Sequence, residues 1–338
     1  MKAAVLHAVN DLRVEIVPDP SPGPNETLVR VQACGVCSSD VHRVTRDGTY
    51  RFPTIIGHEY AGRDESGRLV AVYPLIPCDA CEQCRAGRFQ CCANYNYTGS
   101  RCDGGFAELV RIPRRNLVPV PDGVSPQEAA MTEPAAVGVH AMRAAKMKTG
   151  DTVLIIGSGT IGLIAAQTAC AMGAARVIPM DVAEERLAIA RSLGFAEAAN
   201  SRGAAEALGP IGDVVVEMVG LSATYNLAID LAKSGGTVVF TGNIADDLTI
   251  PRKRVSTILR KELTILGTWN STALRPAGAT NQSGAEPTDW EMTLRLQAEG
   301  KIDLKPLISH NIALDALPET IARMASGKET FGKVMVSV

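Results

Sequence analysis

The segment Ile156-Gly157-Ser158-Gly159-Thr160-Ile161-Gly162 constrains the fold of this chain more than any other. It sits inside a run from Thr152 to Ala175 that holds no charged residue. That run is long enough to suggest a membrane span. Yet it opens with β-branched residues and breaks at three glycines. A buried strand, a glycine turn and a buried helix explain it better. Gly157 permits the tight turn, Gly159 lets backbone approach a pyrophosphate, and Gly162 lets helix meet strand. The helix N-terminus then faces the phosphates. Asp181 follows Gly162 by nineteen residues, at the end of the next expected strand. From there a carboxylate would accept hydrogen bonds from ribose hydroxyls and repel a 2′-phosphate. The expectation is a dinucleotide site built from Gly157, Gly159, Thr160, Ile161, Gly162 and Asp181, with NAD favoured over NADP. Arg186 is a nearby cation that bears on that preference.

Strands and helices alternate on both sides of the turn. Strands are expected at 152–156, 176–180, 213–218, 237–241 and 263–269, and helices at 161–172, 183–193 and 222–233. Such alternation signals parallel βαβ units. Pro179 is awkward in a central strand and is expected to mark a local bulge. Ser125-Pro126-Gln127-Glu128 reads as a helix start, with Ser125 as N-cap and Glu128 closing a capping box. The first ~120 residues differ. Val29, Val31 and Ala33 alternate with Arg30 and Gln32, further strands are expected at 69–72 and 106–112, and no long helical pattern appears. This region reads as mainly antiparallel β. Near the other end, helices are expected at 290–299 and 314–326 and a closing strand at 333–338. The Ser-, Gly- and Ala-rich stretch 270–289 is expected to be a mobile surface loop.

Composition narrows the class. A chain of 338 residues with 46% apolar residues can build about two cored domains, which excludes disorder as a description of the whole. Lys plus Arg number 34 and Asp plus Glu 36, so no basic surplus awaits a nucleic-acid backbone. The opening residues meet Asp11 and Arg13 too early for a signal peptide, which leads to the expectation of a cytoplasmic protein without a membrane partner. Nine cysteines in that setting read as thiols and metal ligands rather than disulfides. Cys78, Cys81 and Cys84 are spaced by two residues, and Cys92 follows eight positions later. Four such thiolates can wrap one structural Zn²⁺ with no open position. An iron–sulfur cluster is the rival, but its fourth cysteine usually falls closer. Cys91 is the alternative fourth ligand. Cys37, His58, Glu59 and Glu133 are dispersed, and each alone has an ordinary explanation. Together a Cys, a His and a carboxylate make a catalytic zinc set with one open position.

The motifs Cys34-Gly-Val-Cys37-Ser-Ser39-Asp40-Val-His42, Gly57-His58-Glu59-Tyr60-Ala-Gly62, the four-cysteine lobe and Gly157–Gly162 occur in this order. In combination they resemble the zinc-dependent medium-chain dehydrogenases over nearly the whole chain. Thr132-Glu133-Pro134 is similar to the polyol-dehydrogenase branch, where Glu replaces the Cys of alcohol dehydrogenases. The resemblance implies an α/β protein with a GroES-like, mainly antiparallel β catalytic domain at 1–123 and 267–338. A doubly wound parallel-sheet Rossmann domain at 124–266 would complete it, with the active site in a cleft. It implies two Zn²⁺ per chain and NAD. Cys37, His58 and Glu59 or Glu133 would hold the catalytic ion, Ser39 would take the alcohol proton, and His42 would pass it to solvent. Asp40 would orient His58. The substrate would be a polyol or polyol phosphate, with a threonine 3-dehydrogenase-like reaction as runner-up and a non-catalytic nucleotide-binding relative as the rival of another class. Arg43, Arg46, Arg51 and Arg101 are the candidates for a substrate phosphate. A homodimer or homotetramer would pair sheet edges at 264–269.

Overall fold

Two stretches of alternating hydropathy build two separate sheets, one around residues 26–36 and one around 152–156. A computed structural model describes residues 1–276 and 286–338. Positions 277–285 of the loop expected to be mobile lie outside the described residues.

The chain divides into two compact units. The first holds Met1–Ala136, Ser271–Ala298 and Leu307–Val338, and the second holds Val137–Asn270 and Glu299–Pro306. In the first, the long strand Glu26–Val36 is central. It pairs antiparallel with Glu59–Arg63, Leu109–Pro113 and Lys333–Ser337. Leu69–Val72 and Leu117–Pro119 extend the sheet on one side, and Ile308–Ala313 on the other. Val29, Val31 and Ala33 are buried as the alternation predicted, and a register shift between Val31 and Ala33 bends the strand. Val29 and Val31 join Leu6, Tyr60, Phe106, Val334 and Val336 in one core. The Ser125 capping box is present, with Glu128 Oε2 accepting from the Ser125 N–H at 3.0 Å and Ser125 Oγ accepting from the Glu128 N–H at 3.3 Å. The helix that it opens packs on the strands around Glu26–Val36, so residues 126–136 belong to the first unit although 124–266 was the expected extent of the second domain.

The second unit carries six parallel strands. Their order is Ala199–Asn200, Arg176–Asp181, Thr152–Ile156, Gly212–Glu217, Ala232–Phe240 and Thr264–Gly267. Leu154, Ile156, Ile178, Met180 and Val215 form its core, which explains a charge-free run without a membrane. Among the described residues, no helix is long and apolar enough to cross a bilayer. Pro179 is not a bulge. It faces Ile155 in unbroken register, and the other flank of its strand has a neighbour only from Met180 onward. A missing N–H on that open flank forfeits no ladder bond. The helix expected over 222–233 stops at Leu231, because Ala232 already enters the next strand.

Candidate active site and metal centres

Strand register assembles the first site. Glu26–Val36 and Glu59–Arg63 pair with Gly35 opposite Glu59. Cys37, just past the end of one strand, therefore lies beside His58, just before the start of the other. Lys333 starts the strand on the opposite flank, where Val334 faces Val36. One ligand atom each of Cys37, His58 and Glu59 lies within 4.8 Å of the other two, and the His and Glu are buried. Gly35 allows this closeness, because a Cβ there would stand 2.2 Å from Glu59 Oε2.

Lys333 was not anticipated. Its ammonium donates to both Glu59 oxygens, at 2.7 and 2.6 Å, and to the Val36 carbonyl at 3.3 Å. Burial works to lower the Lys333 pKa, but the Glu59, Cys37 and Glu133 charges and the hydrogen bond to Glu59 together outweigh it and raise the value. A lone lysine opening the apolar run Val334–Val336 was the signal that could have flagged it. Glu133 stands outside the close group and accepts the Tyr97 hydroxyl at 2.9 Å. Burial raises its pKa. The Tyr97 ring lies 5.6 Å from that of His58. No sequence pattern singled out Tyr97.

Cys37 is the N-cap of the short helix Ser38–His42. Asp40 in that helix is fully buried, and its Oδ2 accepts the Cys37 N–H at 3.0 Å. Its Oδ1 lies 3.3 Å from His58 Nδ1, within ion-pair distance. Burial opposes ionisation of Asp40, yet the His58 and Arg43 charges and the Cys37 N–H keep its pKa below the ordinary value. Arg43, one of the four arginines considered for phosphate, donates instead to Ser39 Oγ at 2.7 Å and Asp40 Oδ1 at 3.2 Å. His42 is exposed.

The four-cysteine lobe is the second site. Cys78, Cys81, Cys84 and Cys92 come within 4.8 Å of one another, while Cys91 is exposed and outside the group. The N–H groups of Ala93 and Cys84 bring the Cys81 thiol down to about 6, whereas burial pushes Cys84 up to about 12. Such a set of sulfurs fits a tetrahedral zinc and offers no opening for substrate. The lobe packs on Tyr73, Phe89 and Trp290, and Trp290 Nε1 donates to Ser271 Oγ at 3.0 Å.

In the second unit the strand Thr152–Ile156 leads through the glycine turn into the helix Thr160–Ala171, with Gly159 as N-cap and no side chain capping it. Asp181 Oδ2 accepts the Ser158 N–H at 2.9 Å, and Oδ1 accepts the Ala183 N–H at 3.0 Å. The Arg186 guanidinium reaches Asp181 Oδ2 at 3.3 Å. Thr160 and Ile161 form the first turn of the helix and are half-buried.

Residues 23–122 match the alcohol dehydrogenase GroES-like domain, and residues 160–283 match the zinc-binding dehydrogenase domain. Galactitol 1-phosphate 5-dehydrogenase of Escherichia coli K12 is 33% identical, with 92% of each chain covered. The chain belongs to the zinc-dependent medium-chain dehydrogenases. Sorbitol dehydrogenase of Bacillus subtilis is 31% identical over 99% of this chain and 97% of its own. The crystal structure of galactitol-1-phosphate dehydrogenase from Escherichia coli superposes with a TM-score of 0.89 at 31% identity over the full length of both chains. A zinc-binding dehydrogenase of Sinorhizobium meliloti 1021, solved with NADP, gives 0.87 at 32% identity over 100% of this chain and 99% of its own. A medium-chain dehydrogenase of this branch requires zinc and a nicotinamide nucleotide, and the thiolates, imidazole and carboxylates gathered here suit the metal.

Proposed function

We propose that this dehydrogenase oxidises a secondary alcohol of a polyol or polyol derivative to the ketone, with NAD as hydride acceptor. The observation that carries the reading is the convergence of Cys37, His58 and Glu59 on one point, with Glu133 in the wall beside it. A zinc ion held there would supply polarisation of the alcohol oxygen, and a bound nicotinamide nucleotide would supply the hydride acceptor. Cys37 and His58 would hold the ion with one carboxylate, Glu59 or Glu133. Asp40 positions His58 from behind. Ser39, steadied by Arg43, takes the alcohol proton, and the exposed His42 delivers it to solvent. The glycine turn and helix start at Gly157–Gly162 receive the pyrophosphate, and Asp181 receives the ribose.

The relatives named for galactitol 1-phosphate and sorbitol support a polyol substrate. The Arg186 guanidinium beside Asp181 and the NADP-bound neighbour favour a second reading, in which NADP also serves. Thr264–Gly267, last in its sheet, is the edge that would pair in a homodimer. Nine free cysteines suit the reducing cytoplasm. The test is reduction of NAD and NADP across sorbitol, galactitol, galactitol 1-phosphate and L-threonine. Turnover of a polyol with NAD is expected. Turnover of L-threonine alone would replace the substrate reading, and a twofold or greater preference for NADP would replace the cofactor reading.

A further inference from the structure

Three of the four arginines near the metal-bearing segments are committed to carboxylates. Arg43 reaches Asp40 at 3.2 Å, Arg46 reaches Asp47 at 2.7 Å, and Arg51 reaches Asp103 at 2.8 Å. Arg101 has no carboxylate partner among the described residues. Its guanidinium lies instead over two rings, 4.1 Å from the centre of Tyr50 and 4.5 Å from that of Tyr95. Two ring contacts restrain the group through its π-face and leave its N–H groups to donate.

The backbone ties this arginine to the proposed reaction centre. The Arg101 N–H donates to the Tyr97 carbonyl at 2.9 Å, and the Gly99 N–H closes the loop on the Cys102 carbonyl at 2.8 Å. Tyr97 is the same residue whose ring touches His58 and whose hydroxyl bonds Glu133. The Tyr95 ring bridges the two, 6.2 Å from Tyr97 and in contact with Arg101. A rigid, unpaired guanidinium thus stands a few side chains from the metal ligands. Arg forks bind carboxylate and phosphate oxygens in pairs, and neutral hydroxyls offer no such match.

We propose that Arg101, clasped by Tyr50 and Tyr95, binds an anionic end group of the substrate while a secondary alcohol of the same molecule reaches the Cys37–His58 site. The inference rests on the functional reading above and adds the charge of the substrate. A sugar acid and a polyol phosphate share this chemistry.

The experiment compares kcat/KM for L-idonate, galactitol 1-phosphate and sorbitol in the wild type, Arg101→Met and Arg101→Lys. The wild type should prefer one of the two anions over sorbitol, and which one identifies the end group. Arg101→Met should cut kcat/KM for that anion roughly 10- to 100-fold more than for sorbitol, mainly through KM, the loss expected for a charge-assisted pair. Arg101→Lys should restore part of it. Equal losses on the anion and on sorbitol, or no anion preference in the wild type, overturn the assignment and leave the polyol reading intact. Should the wild type turn over none of the three, calorimetric titration of L-idonate and galactitol 1-phosphate decides separately. Binding that Arg101→Met abolishes supports the site, and binding of neither anion, or binding unaffected by the variant, defeats it. A melting curve matching the wild type confirms that Arg101→Met is folded.

Discussion

Two alanine substitutions in the same glycine turn should fail for opposite reasons. A Cβ on Gly162 would stand 1.8 Å from the Gly157 carbonyl oxygen, with Ile155 Cγ2 at 3.4 Å behind it. The obstacle is backbone, so relief requires the helix to move away from the strand. Alanine in a helix gains about 1 kcal/mol of propensity over glycine. Overpacking against an unyielding neighbour costs about 3 kcal/mol or more. The clash wins by about 2 kcal/mol, which lowers the melting temperature of the Val137–Asn270 unit by roughly 4–8 °C. Gly159 differs. Its φ of −74° is open to any residue, and nothing lies within 4 Å of a Cβ placed there. Alanine there should leave folding unchanged or stabilise it by about 0.4–1 kcal/mol through the unfolded chain. The same methyl occupies the space a pyrophosphate must enter, and loss of one charge-assisted bond weakens NAD roughly 10- to 100-fold. Calorimetric melting and NAD titration of both variants separate the effects. A Gly162→Ala protein that melts with the wild type, or a Gly159→Ala protein that binds NAD normally, would refute the reasoning.

Lys333→Met should destabilise the first unit by about 3–5 kcal/mol, because it leaves the Glu59 carboxylate buried without its partner. The Lys333 pKa is raised in the folded state, so its contribution is complete below the ordinary lysine value of about 10.4 and fades as pH climbs through the folded value. Melting curves at neutral and strongly alkaline pH should therefore show the gap between wild type and variant closing, and a gap independent of pH would refute the assignment. In zinc-stripped protein, Cys81, with its pKa near 6, should be alkylated by iodoacetamide well before Cys84, whose pKa is near 12. Peptide mapping that finds Cys84 modified first contradicts this. Elemental analysis should count two zinc per chain in the wild type and one in Cys37→Ala, with melting little changed. Cys84→Ala should lose the other zinc and melt lower, as removal of a structural metal does. Full zinc occupancy in either variant removes that cysteine from its site.

Local spacing alone declared much of this protein. The cysteine run at 78–92 needs only a short chain to close on one ion, so its sequence is nearly its geometry. The glycine turn is equally local, because a strand, a turn and a helix start are contiguous and each glycine answers a constraint a few residues away. The alternation at 27–33 likewise announced a half-buried strand, and Val29, Val31 and Ala33 are buried. Strand pairing is long-range, and there sequence was silent. Only the register of Glu26–Val36 with Glu59–Arg63 and Lys333–Ser337 brings Lys333 onto Glu59 across 274 residues of chain. Only the folded loop at 97–102 reveals which of four similar arginines lies over two rings with no carboxylate partner among the described residues. Periodicity records which face of an element meets the core. Which charge meets which is settled when distant elements pack, since an ion pair a few ångströms long leaves no period in the chain.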